Sequence, residues 1–270
     1  MIAPQPKRKI DDLHDQMIPL MVERDLGRIE LPLKRIEMEA LKILRSAASG
    51  HDEIAIGHLL LAGIAAKRMR REEAREHCAN AIRFAPNDPG IRYNIGVTLR
   101  TVGDYGEAIA AMEQCHRWNG IDPAPLRELG ILCHHTCRYQ ACAVWLEKLQ
   151  ALTPDDFYPL SEEVNRFADF TRRMNLTDED VSRVMEAALE AARPFADRLT
   201  IESDLFDGEP EHSFMKFNFL LDVDEDKVNV VSNDYYERAA LLDPPSVAEW
   251  YMLITFSGKR RDASAGDGES

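Results

Sequence analysis

The sequence has no CxxC pair, no uninterrupted apolar run of 18 residues, no glycine-rich phosphate loop and no excess of basic side chains. The first absence removes the spacing on which closed zinc sites are built. The second removes a membrane-spanning helix. The third leaves no Walker loop or dinucleotide fingerprint, and so no cofactor is expected. The fourth argues against general nucleic-acid or membrane-surface binding, because Lys and Arg number 33 against 47 Asp and Glu. The N-terminus MIAPQPKRKIDDLHDQ has a basic stretch but no apolar segment behind it, so no secretory signal is expected. With an odd count of five cysteines, reduced thiols in a bacterial cytoplasm are the expectation.

What is present is globular: 270 residues, 45% hydrophobic and 30% charged, enough for one or two domains. The net charge of −14 is unevenly placed. Residues 1–156 carry 21 basic and 22 acidic side chains, residues 157–270 carry 12 and 25, so nearly all of the excess lies in the second part.

A spacing of 34 residues runs through the near-neutral part. It links Ala62, Gly96 and Gly130; Leu61, Ile95 and Leu129; Ala74, Ala108 and Cys142; Cys78, Met112 and Leu146. Tyr105 and Tyr139 repeat, and Pro86 and Pro154 close the first and third units. Small residues in matching places let two helices approach closely, and the apolar residues between them fill the seam. One hairpin of this kind cannot bury its apolar face alone, so the units must stack. The pattern resembles the tetratricopeptide repeat, most closely at Asn94-Ile95-Gly96 and Gly103-Asp104-Tyr105-Gly106-Glu107-Ala108-Ile109. The resemblance covers units at about 55–88, 89–122 and 123–156 and implies a helical solenoid with a concave, polypeptide-binding face. The aromatic expected early in each first helix is replaced by His58, Arg92 and Leu126.

Residues 1–54 are expected to form flanking helices, across about 8–25 and 33–49, as a degenerate repeat with Pro32 as a helix start. Residues 157–194 are expected to add two helices that cap the array or lead out of it, over Ser161–Met174 and from the Thr177-Asp178-Glu179-Asp180 cap to about 194. Residues 195–258 read as a small acidic α/β domain of order ββαβ. Its strands are Arg198–Phe206, Phe214–Val223 and Trp250–Phe256, and a helix over Val228–Leu242 is stopped by Pro244-Pro245. Residues 259–270 are expected to be a disordered tail. The fold class is α+β, with an N-terminal all-α solenoid followed by this module.

Three constellations invite a chemical reading. Cys133-His134-His135-x-Cys137, with Cys115 and Cys142 nearby, contains zinc-ligand types, but Cys78, Cys115, Cys133 and Cys142 fall where the repeat buries small or medium side chains. Asp222, Asp224 and Asp226 alternate as cation ligands do, with Asp204, His212 and Glu249 available to join them. Their sixth and twelfth loop positions, Lys227 and Asn233, break the calcium template, and acids opening a helix satisfy its dipole instead. The run Lys67-Arg68-Met69-Arg70-Arg71, followed by Glu72, Glu73 and Glu76, reads as a solvated turn with local ion pairs. No serine sits in a nucleophile elbow, no catalytic residue is assigned, and an enzyme is not expected.

The repeat register therefore carries the functional expectation. It assigns to the concave groove Lys67, Tyr93, Asn94, Val97, Arg100, Arg127, Glu128, Ile131, His134 and His135. An apolar lane flanked by Lys67, Arg100 and Arg127 suits a protein or peptide bearing acidic and apolar residues. The family's clamp for chaperone C-termini is disfavoured, because of its residues only Asn94 matches, while Gly63 and Glu128 stand where Asn and Arg are required. An interaction adaptor is the leading expectation. The alternatives are a chaperone for a secreted or assembly-prone client and a metal-dependent enzyme using the Asp222–Asp226 run. Oligomeric state is left open.

Overall fold

The computed structural model describes residues 9–23, 25–46, 50–154, 160–209, 212–242 and 251–258. In order these form α1 (Lys9–Val22), α2 (Leu26–Arg45), α3 (His51–Lys67), α4 (Arg71–Phe84), α5 (Pro89–Thr101), α6 (Tyr105–Trp118), α7 (Pro123–His135), α8 (Tyr139–Leu152), α9 (Leu160–Arg173) and α10 (Asp178–Ala192). They continue as β1 (Leu199–Phe206), β2 (Phe214–Leu221), α11 (Glu225–Ala240) and β3 (Met252–Gly258). The fold is α+β, helical hairpins first and a ββαβ module last. Two compact units result, one of Met1–Leu132 with Ala151–Pro154 and one of Cys133–Gln150 with Asp155–Ser270, and the division falls inside α7.

Helices α3, α5, α7 and α9 end in the same way. Their reversing residues Met69, Gly103, Cys137 and Asn175 have φ of 56, 79, 56 and 54°. The following amide then bonds far back into the helix: Arg70 N to Ala65 O at 2.9 Å, Asp104 N to Leu99 O at 2.9 Å, Arg138 N to Cys133 O at 2.8 Å and Leu176 N to Thr171 O at 2.8 Å. The reversing amides themselves reach the carbonyls of Ala66, Arg100, His134 and Arg172. This is the Schellman closure, which satisfies helix-end carbonyls while turning the chain through a left-handed residue. The first three left-handed positions are 34 apart, so the sequence period is also a period of backbone geometry.

In the first unit the hairpins α1/α2, α3/α4 and α5/α6 stack through small residues. Ala62, Gly96, Ala74 and Ala108 are all buried. A Cβ on Gly96 would lie 2.6 Å from Met112 Cε and 3.4 Å from the Ala108 carbonyl, so α5 and α6 touch almost backbone to backbone. A Cβ on Gly57 would likewise lie 3.0 Å from Leu44 Cδ2 of α2. The start of α2 differs from expectation. Asp25, whose Oδ1 accepts from Gly27 N at 2.9 Å, caps the helix at Leu26, and Pro32 lies inside it. A side-chain cap supplied upstream makes the proline unnecessary as a start.

The basic run also differs, because its cations reach other hairpins rather than the local acids. Arg68 bonds Glu30 (2.9 Å) and Glu37 (3.0 Å) of α2. Arg71 Nε bonds the buried Asp104 at 2.7 Å, and Arg75 bonds Glu107 at 2.6 Å, both on the next hairpin. Arg70–Glu73, at 3.3 Å, is a pair within one helix turn.

In the second unit, Thr177 and Asp180 form the expected capping box of α10. Asp178 caps a different helix: its two oxygens accept from Gln140 N (3.0 Å) and Ala141 N (2.8 Å) in the first turn of α8. β1 and β2 form the expected antiparallel hairpin, Leu199 opposite Leu221 through Phe206 opposite Phe214. β3 joins β2 in parallel, with α11 as the crossover such a pairing demands. Strict alternation buries Met215, Phe217, Phe219 and Leu221 of β2. Tyr139 stacks on Phe167 at 4.6 Å, Phe167 lies 6.1 Å from Phe217, and Phe219, Phe256 and Tyr235 follow at 5.0 and 5.6 Å. Aromatic rings thus join α8 and α9 to the sheet and α11. The expected Pro244-Pro245 stop and the tail lie outside the described residues.

Two outcomes are expected in chemical denaturation. Gly96→Val should destabilise the chain by about 1–3 kcal/mol, since the added methyls meet Met112 and backbone. Met69→Gly should stabilise it by about 0.5–1 kcal/mol, because the exposed methionine occupies a left-handed position that glycine adopts without strain.

Candidate functional site

The ten groove residues are divided between the units: Lys67 to Ile131 belong to the first, His134 and His135 to the second. Lys67 Nζ donates to Met21 O at 2.9 Å and so closes the last turn of α1; burial lowers its pKa, against the attraction of Glu23. Asn94 Nδ2 donates one turn back to Gly90 O at 2.9 Å. Arg100 Nη1 stands 2.8 Å from Glu128 Oε2, an ion pair from α5 to α7 without an aligned hydrogen bond. Burial pushes the Glu128 carboxyl up while Arg100 opposes the shift. Tyr93 is half-buried beside this pair, and burial, with Glu128 next, raises its phenol. Arg127 is exposed and Ile131 is partly buried. In the second unit His134 Nε2 lies 3.6 Å from Glu163 Oε1 of α9, and His135 is exposed.

Open space on the first unit lies along α3 and α5, where it includes Asn94 and Val97 of the expected groove. A cleft of about 260 Å³ is floored by Ile56, Leu59 and Ile91 and edged by His14, Asp15, Asp52, Asp88 and Asn94. A smaller hollow of about 80 Å³ adjoins it, where Met17 and Met21 of α1 lean over Gly63 beside Val97 and Thr98. No Lys or Arg is among the described residues lining the larger cleft, so its sign is opposite to that of the anticipated basic lane. Asp88 Oδ1 accepts from Ile91 N at 3.0 Å and caps α5; Asp15 and Asp52 are exposed.

The periodic register did not lead to His14, Asp15 or Asp52. One signal was available: an acid opens each of α3, α5 and α7, as Asp52, Asp88 and Asp122. The α1 contribution was also readable in part, since His14, Met17 and Met21 share one helical face.

The other constellations resolve into structure. Burial pushes the thiols of Cys78 and Cys137 to about 12 and that of Cys115 to about 11, and raises Cys142 further, so these sulfurs stay protonated at neutral pH. Asp222, Asp224 and Asp226 are exposed around the start of α11; Asp224 is its N-cap residue and Asp226 lies in its first turn. Glu249 lies outside the described residues. Ser203 Oγ bonds Glu163 at 2.6 Å, Ser213 closes the β1–β2 turn on Glu209 O at 2.9 Å, and Ser232 bonds Val228 O at 3.0 Å. Among the described residues no group of three or more His, Cys, Asp and Glu converges on a metal position. No helix among them is long and apolar enough to cross a membrane.

A histidine pair joins α3 to α4. His58 Nδ1 and His77 Nδ1 are 3.1 Å apart, with Phe84 stacked on His58 at 6.0 Å and set at 5.8 Å from His51. That distance accommodates one shared proton and not two. Burial lowers the pKa of both rings, and His77 lowers His58 further, while Glu76 acts on both rings, and Glu73 on His77, in the opposite direction.

No family model matches the chain, and no curated protein is similar to it. The tetratricopeptide resemblance accordingly rests on the 34-residue register and the turns that repeat with it.

The pair sets a direction for pH. Unfolded histidines titrate near 6.5 and these two below it, so in that window the unfolded chain binds more protons. Stability should therefore fall as pH drops through about 6.5. Thermal melts should show the decline in the parent and a shallower one in His77→Gln; equal slopes would remove the pair as its source.

Proposed function

We propose that the chain is an adaptor that holds a partner polypeptide on the inner face of α3 and α5, through a segment presenting a basic and an apolar side chain. The observation that carries this reading is the cleft of about 260 Å³ between Asp15, Asp52 and Asp88, with Ile56, Leu59 and Ile91 beneath. Its volume is below the usual range for small-molecule pockets, roughly 300–1,000 Å³, and suits one or two side chains. An apolar floor supplies affinity by excluding water, and the carboxylate rim selects the sign of what enters. The repeat resemblance supports the same class of ligand. Lys67 and Arg100, which the sequence offered for an acidic partner, already hold Met21 and Glu128.

The test inverts the rim where side chains are exposed. Full-length protein and Asp15→Lys/Asp52→Lys are used as baits in extract from the source cell, and co-eluting proteins are cross-linked and mapped by mass spectrometry. The expected outcome is a stoichiometric partner, cross-linked through a basic segment beside α3 and α5 and lost from the variant without a change in Tm. A partner retained equally by both baits overturns the assignment.

A further inference from the structure

The histidine pair lies outside the proposed polypeptide site and has a chemistry of its own. We propose that His58 and His77 form a two-imidazole binding site for a borderline divalent transition metal of the Zn²⁺, Ni²⁺ or Cu²⁺ type, with water completing the coordination.

The spacing is the first argument. Imidazole nitrogens bind these ions at about 2.0–2.1 Å. Two nitrogens 3.1 Å apart then subtend an angle of about 98° at the metal. That angle lies between the square-planar and tetrahedral arrangements these ions adopt. The second argument is rigidity. The ligands stand on the two helices of one hairpin, α3 and α4, which the turn at Met69 locks together. Stacked Phe84 restrains the His58 ring. A metal can therefore be chelated by a small reorientation of the rings and a change of tautomer, at little cost in ordering entropy.

The electrostatic surroundings agree. Glu76 acts on both rings and Glu73 on His77, so negative charge is at hand to offset a divalent ion. Each ring must offer its Nδ1 lone pair. The proton between the rings moves to the far Nε2 of its own ring, and binding releases no net proton. Partial exposure of both rings leaves room for water ligands. His51 meets Phe84 rather than the pair and sits two helical turns before His58, so it is no ligand.

Titration calorimetry of tag-free full-length protein with ZnCl₂, NiCl₂ and CuCl₂ tests the site, joined by electron paramagnetic resonance of the Cu²⁺ form. The expected result is one saturable ion per chain, nitrogen hyperfine structure from two imidazoles, and a metal-dependent rise in Tm. His58→Gln and His77→Gln should each weaken affinity by at least about tenfold, while His51→Gln leaves it unchanged. No saturable binding by the parent, or parental affinity retained in His58→Gln and His77→Gln, overturns the proposal. The copper spectrum depends on no variant, so a folding defect in one of them does not blur the result.

Discussion

The helical part of this protein depends on how its chain reverses. At Met69, Gly103 and Cys137 one left-handed residue turns each helix into its partner, and two backbone hydrogen bonds hold the turn. Because the turn recurs at a fixed interval, the same side-chain positions face each other in the successive hairpins of the first unit. The small residues then become effective: α5 and α6 can lie against each other only because Gly96 has no side chain to interpose. Asn175 repeats the turn between α9 and α10, outside the 34-residue spacing, so the geometry outlasts the sequence period.

Charge serves assembly in this molecule before it serves recognition. Arg68, Arg71 and Arg75 tie each hairpin to a neighbour, and Asp178 caps a helix nearly forty residues earlier in the chain. A long cationic side chain can satisfy any acid within its reach, and folding decides which acids are within reach. Removing Arg71 would leave the buried Asp104 carboxylate to Arg75 alone, 3.9 Å away, which costs more than losing an exposed pair. Along α3 and α5, carboxylates edge an apolar floor, with Asp15 beside His14 and Asp88 capping α5.

The legible part of the fold was the part written in periodicity. The small-residue register, the alternation in Phe214–Leu221 and the Thr177 cap each state a local rule, and each element appears within a few residues of its expected place. Pro32 was misleading because a side-chain cap at Asp25 outweighed it. Met69 and Cys137 gave no sign of their turns, since neither residue favours a left-handed backbone and the stacked hairpins impose it.

The candidate site was less legible for a different reason. Lys67, Arg100 and Glu128 were placed on the right helices, yet their side chains close α1 and pair with one another, which no spacing rule foretells. His14, Asp15, Asp52 and Asp88 come from three helices, and His58 and His77 are nineteen positions apart. By itself the sequence determined the helices, the period of their stacking and the ββαβ order, because backbone hydrogen bonding and apolar periodicity act over a few residues. Tertiary structure alone decided which charges are consumed, where a cleft remains and which two imidazoles meet, because those depend on distances between segments that have no fixed relation along the chain.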